Sequence, residues 1–161
     1  MTDCPFCGSV ADDSEFAGDE SFRVLYNIAP IVPGHSLVIP RRHIQRVSDL
    51  REDEFCSYWS FAQKVTRFLL STFETDAYDW TIQEQEAAGQ TVPHLHLHVI
   101  PRVPGDFEEP GDWYPKLRSG RIVKHAHEVL DSNDRIRLFD DESRAIASEL
   151  ASKWTEWLKA D

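Results

Sequence analysis

Cysteine is scarce in this chain, with three among 161 residues. Three thiols are too few for a disulfide framework and fit a reducing compartment. No stretch approaches the roughly 18 consecutive apolar residues that a membrane-spanning helix needs. The start, Met1-Thr2-Asp3-Cys4, is polar and acidic and lacks the apolar core of a secretory signal. These absences predict a cytoplasmic protein with no membrane partner. Positive charge is the other shortage: 17 Lys and Arg stand against 28 Asp and Glu, a formal net charge of −11. Binding to a nucleic-acid backbone rests on clustered Lys and Arg, so no nucleic-acid partner is expected. An anionic ligand would have to be held by local donors, because the overall field repels it. Repeats, low-complexity tracts and linkers are also missing. One domain spanning 1–161 is therefore expected, long enough to bury roughly two thirds of its unfolded surface.

What is present reads as alternating strands and helices. The first twenty residues read as a short knuckle followed by an acidic loop. Phe22 to Asn27 and Ser36 to Ile39 read as strands around the breaker-rich turn Pro30-Ile31-Val32-Pro33-Gly34. Asp49 with Glu52 three residues on resembles a helix start. Phe55, Trp59, Ala62, Thr66 and Leu69/Leu70 then recur near helical spacing to about Phe73, with Cys56 placed in the core of that helix. Further strands are predicted at 78–86 and 94–100. A second helix is predicted from about Asp141 to Leu158, with Ile146, Leu150, Trp154, Trp157 and Leu158 on one stripe. Residues 103–138 are polar and irregular, and His125 and His127 read as loop histidines there. Strands joined by turns, with one long helix and a C-terminal helix, predict an α+β fold with an antiparallel sheet of about five strands.

The chemistry gathers in Pro93-His94-Leu95-His96-Leu97-His98-Val99-Ile100-Pro101-Arg102. Histidine and apolar residues alternate there with the period of a strand. His94, His96 and His98 should share one face, roughly 6.6 Å apart in steps, and Leu95, Leu97 and Val99 the other. Three adjacent imidazoles each need a hydrogen-bond partner or a metal, so they are costly as mere core. A neutral imidazole attacks phosphorus and later leaves well, provided its other ring nitrogen is held by an acceptor. Gly89, Gln90, Thr91 and Val92 lead into the histidines, and a turn of this kind can cradle phosphate oxygens with its backbone N–H groups.

The run His94-Leu95-His96-Leu97-His98-Val99-Ile100 resembles the signature of the histidine triad family, in which three histidines alternate with apolar residues. Asn27-Ile28-Ala29-Pro30-Ile31-Val32-Pro33-Gly34-His35-Ser36-Leu37-Val38-Ile39-Pro40 resembles the family's upstream block. Gln83, Ala88 to Val92 and Pro101 to Phe107 are similar to its fragile-histidine-triad branch, and the likeness covers roughly residues 20–118. The resemblance implies a nucleotide hydrolase that cleaves dinucleoside polyphosphates at the α-phosphate and releases a nucleoside monophosphate. His96 would be the nucleophile that takes up the nucleotidyl group. His98 would hydrogen-bond the phosphate, and His35 would support His98. Gln83 would touch the bridging or leaving oxygen, Gln90 and Thr91 the polyphosphate, with Gly89 and Val92 completing the turn, and Asn27 the ribose. A homodimer and Mg²⁺ carried with the nucleotide belong to the same expectation.

Cys4-Pro5-Phe6-Cys7 has the spacing of half a zinc site, with a redox pair as the rival reading. Some histidine triad proteins complete such a pair with two histidines, and the matching positions here are His43 and His94. This implies a structural Zn²⁺ held by Cys4, Cys7, His43 and His94, a departure from the fragile-histidine-triad pattern. Three other readings use the same residues. A nucleotidyl-histidine could pass to phosphate or another acceptor, making a phosphorylase or nucleotidyltransferase. The nucleophile could attack a P–N bond, making a phosphoramidase. Slow turnover would leave a nucleotide-binding sensor.

Overall fold

The computed structural model describes residues 4–114 and 140–160. Five strands form one antiparallel sheet: β1 (Glu15–Gly18), β2 (Phe22–Tyr26), β3 (Ser36–Pro40), β4 (Ala77–Ile82) and β5 (Leu97–Arg102). Their spatial order is β1-β2-β3-β5-β4, which places the histidine-bearing strand inside the sheet and β4 at its edge. Helix α1 (Ser9–Asp12) is a single turn. Helix α2 (Glu52–Thr72) lies between β3 and β4 in the chain, and α3 (Asp140–Ala160) follows β5. The expected α+β fold is borne out.

Alternation assigns the two faces of the sheet. Val24, Val38, Leu97 and Val99, together with Leu95, pack into one core with Tyr58, Ala62, Val65, Phe68 and Leu69 of α2 and Ala147, Leu150 and Trp154 of α3. Leu25, Leu37 and Ile39 point the other way, onto Ala11 and Phe6. A period of two produces this split in every strand it governs. Hydrogen bonds tie the α2 layer down. The buried Tyr58 hydroxyl donates to the Val38 carbonyl at 2.9 Å, and Trp80 Nε1 donates to Thr66 Oγ1 at 2.8 Å.

Several boundaries differ from the sequence reading, each for a local reason. The stretch taken as knuckle and acidic loop contains β1, whose Phe16 and Ala17 are buried and whose Gly18 pairs with Arg23. Helix α2 starts at Glu52, because Leu50 and Arg51 are extended. Its first turn is closed by Glu54 reaching back to the Arg51 N–H at 2.9 Å. The buried stripe of α2 is rotated from the expected one, since Tyr58, Phe61 and Val65 face the core while Phe55 and Cys56 are exposed. In α3, Leu150 and Trp154 are buried as expected and are joined by Ala147 and Ser143, while Leu158 is exposed. Of the polar stretch after β5, residues 103–114 are described; His125 and His127 lie outside the described residues.

Candidate active site

The histidine run is not one continuous strand. Ladder pairing begins at Leu97, so His98 sits on β5 opposite Leu37 and Thr81, while His94 and His96 precede it in an irregular approach. The approach is still fixed, because Leu95 N–H donates to the Ile44 carbonyl at 2.7 Å and Leu95 itself is buried in the α2 core. Side-chain alternation therefore survives where the ladder does not. His96 and His98 are neighbours with ring centroids 5.0 Å apart.

His96 is buried, and its Nδ1 lies 2.6 Å from the His94 carbonyl oxygen. A carbonyl only accepts, so Nδ1 carries the proton and Nε2 keeps the lone pair. Burial lowers the pKa of His96 against the opposing effect of that hydrogen bond, which favours the neutral ring. His98 Nδ1 lies 2.9 Å from His35 Nε2, and His35 is fully buried immediately before β3. The Ile31 N–H donates to His35 Nδ1 at 3.3 Å, so His35 carries its proton on Nε2 and donates to His98. That assigns an N–H donor to His98 Nε2. Asn27 Nδ2 also lies 3.1 Å from His35 Nε2. Asn27 Oδ1 is fixed by the Ala29 N–H at 2.9 Å, so this amide contact is packing between two N–H groups.

The turn that delivers His35 depends on Gly34, whose φ of +85° is closed to most residues and whose added Cβ would lie 2.6 Å from the Phe73 ring. Gly89, at φ +94°, ends the Glu86–Ala88 turn in the same way, with Gln83 Nε2 3.3 Å from where its Cβ would stand.

A cavity of ≈230 Å³ opens on this face, lined by His96, His98, Thr91, Val92 and Asn27 on one side. Phe6, Leu25, Leu37, Ala29 and Ile28 make its apolar wall. The other expected residues stand differently. His35 lies behind His98. Gln83 is buried just past β4, with Nε2 lacking a hydrogen-bond partner. The Gly89 and Gln90 N–H groups close the turn onto Glu86 and Gln85, and are not presented to the cavity. The Gln90 side chain is likewise spent: Oε1 accepts from the Gln85 N–H at 2.8 Å and Nε2 donates to the His94 carbonyl at 3.3 Å. Asn27 lines the cavity but turns its amide back to Ala29 and His35. Sequence reasoning passed over Phe6, although any folding of the Cys4–Cys7 knuckle onto His94 must carry the residue between them along. It also passed over Arg102, which is largely buried and binds Asp79 at 2.7 Å and Asp106 at 2.7 Å.

Beside the cavity, the donor atoms of Cys4, Cys7, His43 and His94 all lie within 4.8 Å of one another. His94 Nδ1 is 3.5 Å from Cys4 Sγ and 3.4 Å from Cys7 Sγ, and His43 Nδ1 is 3.4 Å from Cys7 Sγ. Zinc bonds of about 2.3 Å to sulfur and about 2.0–2.1 Å to nitrogen make a tetrahedral S···N edge of about 3.5 Å. The four side chains thus fit a tetrahedral thiophilic ion. His94 Nε2 donates to the Pro40 carbonyl at 2.8 Å, which leaves Nδ1 aimed at the sulfurs with its lone pair. Burial, reinforced by His43 and His96, lowers the His94 pKa to about 4, so the ring is neutral and ready to ligate.

Comparison with known proteins places this arrangement. The HIT domain matches residues 9–105. A bis(5'-adenosyl)-triphosphatase of Dictyostelium discoideum is 35% identical over 80% of this chain and 86% of its own length. An asymmetrical bis(5'-nucleosyl)-tetraphosphatase of Schizosaccharomyces pombe is 42% identical over 56% of this chain, which spans half of that relative's length. Among solved structures, a zinc-bound histidine triad family protein from Mycobacterium smegmatis superposes with a TM-score of 0.69. That match covers 99% of this chain and 98% of that one at 24% identity, a likeness of fold. A domain match over more than half of the chain, with a relative followed over most of its length, establishes that this chain belongs to the HIT domain family.

Proposed function

We propose that this chain is a hydrolase of dinucleoside polyphosphates that works through a nucleotidyl-His96 intermediate. The observation that carries the reading is the His96 ring: buried in the cavity wall, held by its Nδ1–H on the His94 carbonyl, and left with an Nε2 lone pair. In the first step Nε2 attacks the α-phosphorus. A P–N bond forms as the P–O bond to the bridging oxygen breaks, and the rest of the phosphate chain leaves as an anionic nucleotide. His98, oriented by His35, donates from Nε2 to the phosphate oxygens as charge develops on them. In the second step water attacks the same phosphorus, the P–N bond pair returns to Nε2, and a nucleoside monophosphate leaves with a proton released to solvent.

The size of the cavity supports cleavage at one end of the substrate. At ≈230 Å³ it is smaller than the roughly 300–1,000 Å³ of typical ligand sites, too small for a whole dinucleoside polyphosphate. The apolar wall suits a base, and Thr91 and Val92 border the phosphate. Mg²⁺, where it accompanies the nucleotide, would neutralise the departing chain.

Cys4, Cys7, His43 and His94 would hold a structural Zn²⁺, which closes all four ligand positions and fastens the amino-terminal knuckle to the sheet. The edge strand β4, with Tyr78 exposed, supports a reading of the protein as a homodimer that pairs through this edge. Light scattering on the eluting protein would read a dimer mass; a monomer would remove that part. A cytoplasmic setting would keep the thiols reduced for the metal; among the described residues no helix is long and apolar enough to cross a membrane.

The deciding experiment incubates the protein with diadenosine tetraphosphate and inorganic phosphate and identifies products by mass spectrometry. AMP plus ATP is the expected result. ADP plus ATP would make phosphate the acceptor and the protein a phosphorylase. Intact substrate would overturn the hydrolase reading and leave the phosphoramidase and the sensor.

A further inference from the structure

We infer that the Cys4/Cys7/His43/His94 cluster positions the nucleophile, so that a thiophilic divalent cation held there sets both the seating of His96 and the affinity of the adjoining cavity for nucleotide. The inference rests on the functional reading above for the nucleotide, though not for the coupling itself.

Two connections run from the cluster to His96. The first is His94, which serves both sites. Its ring presents Nδ1 to the two sulfurs and Nε2–H to the Pro40 carbonyl, while its own backbone carbonyl accepts the His96 Nδ1–H at 2.6 Å. A ring held at both nitrogens fixes the orientation of its residue, and with it the carbonyl that determines the His96 tautomer. The second connection is Phe6. Standing between the two cysteines, it meets the His96 ring edge-on at 5.3 Å and the His94 ring at 6.0 Å. Its ring also packs against Leu25 and Leu37 and, with Pro5, walls the cavity.

Little else in the knuckle could hold Phe6 in place. Among the described residues the backbone hydrogen bonds of residues 4–11 stay local: Cys7 N–H to Cys4, Ala11 N–H to Gly8 and Ser14 N–H to Ala11. Further along, the buried Ala11 packs on Leu25, Leu37 and Ile39 and Asp12 pairs with Arg23 at 3.1 Å, but residues 4–7 themselves are held by the thiol–imidazole cluster and the Phe6 contact. Thiols at 3.4–3.5 Å from ring nitrogens make weak hydrogen bonds. Four metal–ligand bonds replace them with a rigid node, and the free energy of such a node is available to order the segment that carries it. Loss of the cation releases Phe6 from His96, and the cavity loses one wall.

The test compares the full-length protein loaded with zinc, the same protein stripped by a chelator, and a zinc-loaded Phe6→Ala variant that keeps all four ligands. The first readout needs no nucleotide: the ¹H–¹⁵N signals of the His96 ring, with Nδ1–H as reporter. Stripping is expected to shift or broaden that signal, and zinc to restore it. The second readout is AMP affinity by calorimetry, expected to weaken roughly tenfold on stripping and by a similar factor in Phe6→Ala. An unchanged His96 signal and AMP affinity in stripped protein with its near-UV dichroism intact would overturn the inference. Should stripping unfold the chain, zinc-loaded Phe6→Ala decides, and wild-type AMP affinity there overturns it. Absence of AMP binding to loaded wild-type protein would instead sink the functional reading, with the His96 signal still reporting on the coupling.

Discussion

Two imidazole clusters adjoin at His94, and they use one device to different ends. In each, a backbone carbonyl takes one ring N–H and leaves the opposite nitrogen with its lone pair: Pro40 does this for His94, and His94 does it for His96. Around His94 the lone pair meets Cys4 and Cys7. Around His96 it belongs to the wall of a cavity that Thr91, Val92 and His98 share. The rings are chemically alike, and both are driven toward the neutral form by burial. What stands opposite that nitrogen separates a four-residue donor cluster from a site with room for a reacting phosphate. Two residues of chain separate the two outcomes.

The largest effect should come from breaking the open half. His96→Ala removes the nucleophile, and turnover of diadenosine tetraphosphate should fall on the order of 10⁴-fold or more, with no nucleotidyl-protein adduct in mass spectra. Its zinc content and near-UV dichroism should match wild type; retained turnover would end the covalent mechanism. Breaking the closed half should act first on stability. Cys7→Ser loses one ligand, and we expect no stoichiometric zinc and a melting temperature lower by about 10 °C in calorimetry. Unchanged melting and metal content would mean that the cluster holds no ion.

A finer cut separates His98 from its support. His35→Ala removes the donor to His98 Nδ1, and kcat should drop roughly 100-fold with KM moving far less, as steady-state kinetics would read. Equal losses in both constants would assign His35 to binding. The smallest effect should come from a site outside both clusters. Asp106 is held below its ordinary carboxyl pKa of 3.8 by the Arg102 guanidinium. A carboxylate with a lowered folded-state pKa stabilises the protein above its ordinary value, and that contribution disappears as pH falls through the lowered one. Asp106→Asn should therefore cost about 1 kcal/mol in urea unfolding at pH 7, and progressively less as pH falls through the lowered pKa of Asp106, with turnover and zinc unchanged. A cost independent of pH would place the effect in packing.

Legibility in the sequence follows the range of the interactions involved. The strict alternation of His94 to Val99 announces two faces, and Leu95, Leu97 and Val99 do pack on the α2 core even where ladder pairing has not begun. Apolar spacing locates both long helices to within a few residues. Phase was less legible: Cys56 and Phe55 read as core, yet Tyr58, Phe61 and Val65 are the residues that face the sheet. Helical spacing gives several overlapping stripes in an aromatic-rich segment, and only the partner surface selects one. Strand β1 escaped because four residues with Phe16 and Ala17 give too short a pattern to register. The burial of Arg102 was not legible because its partners, Asp79 and Asp106, come from a neighbouring strand and a loop.

The sequence by itself determined the period of the histidines, the α+β order of elements, the acidic surface and the thiol pair, since each is written in neighbouring residues. Only the tertiary structure decided that the Gln90 amide and Asn27 Oδ1 are spent on backbone groups, not on the cavity. It alone showed Phe6 lying against His96 and His94 shared between thiols and nucleophile. The thiol–imidazole cluster joins atoms 36 to 90 residues apart along the chain, as between Cys7 and His43 or Cys4 and His94. Local propensity carries no information at that range; the packed sheet supplies it.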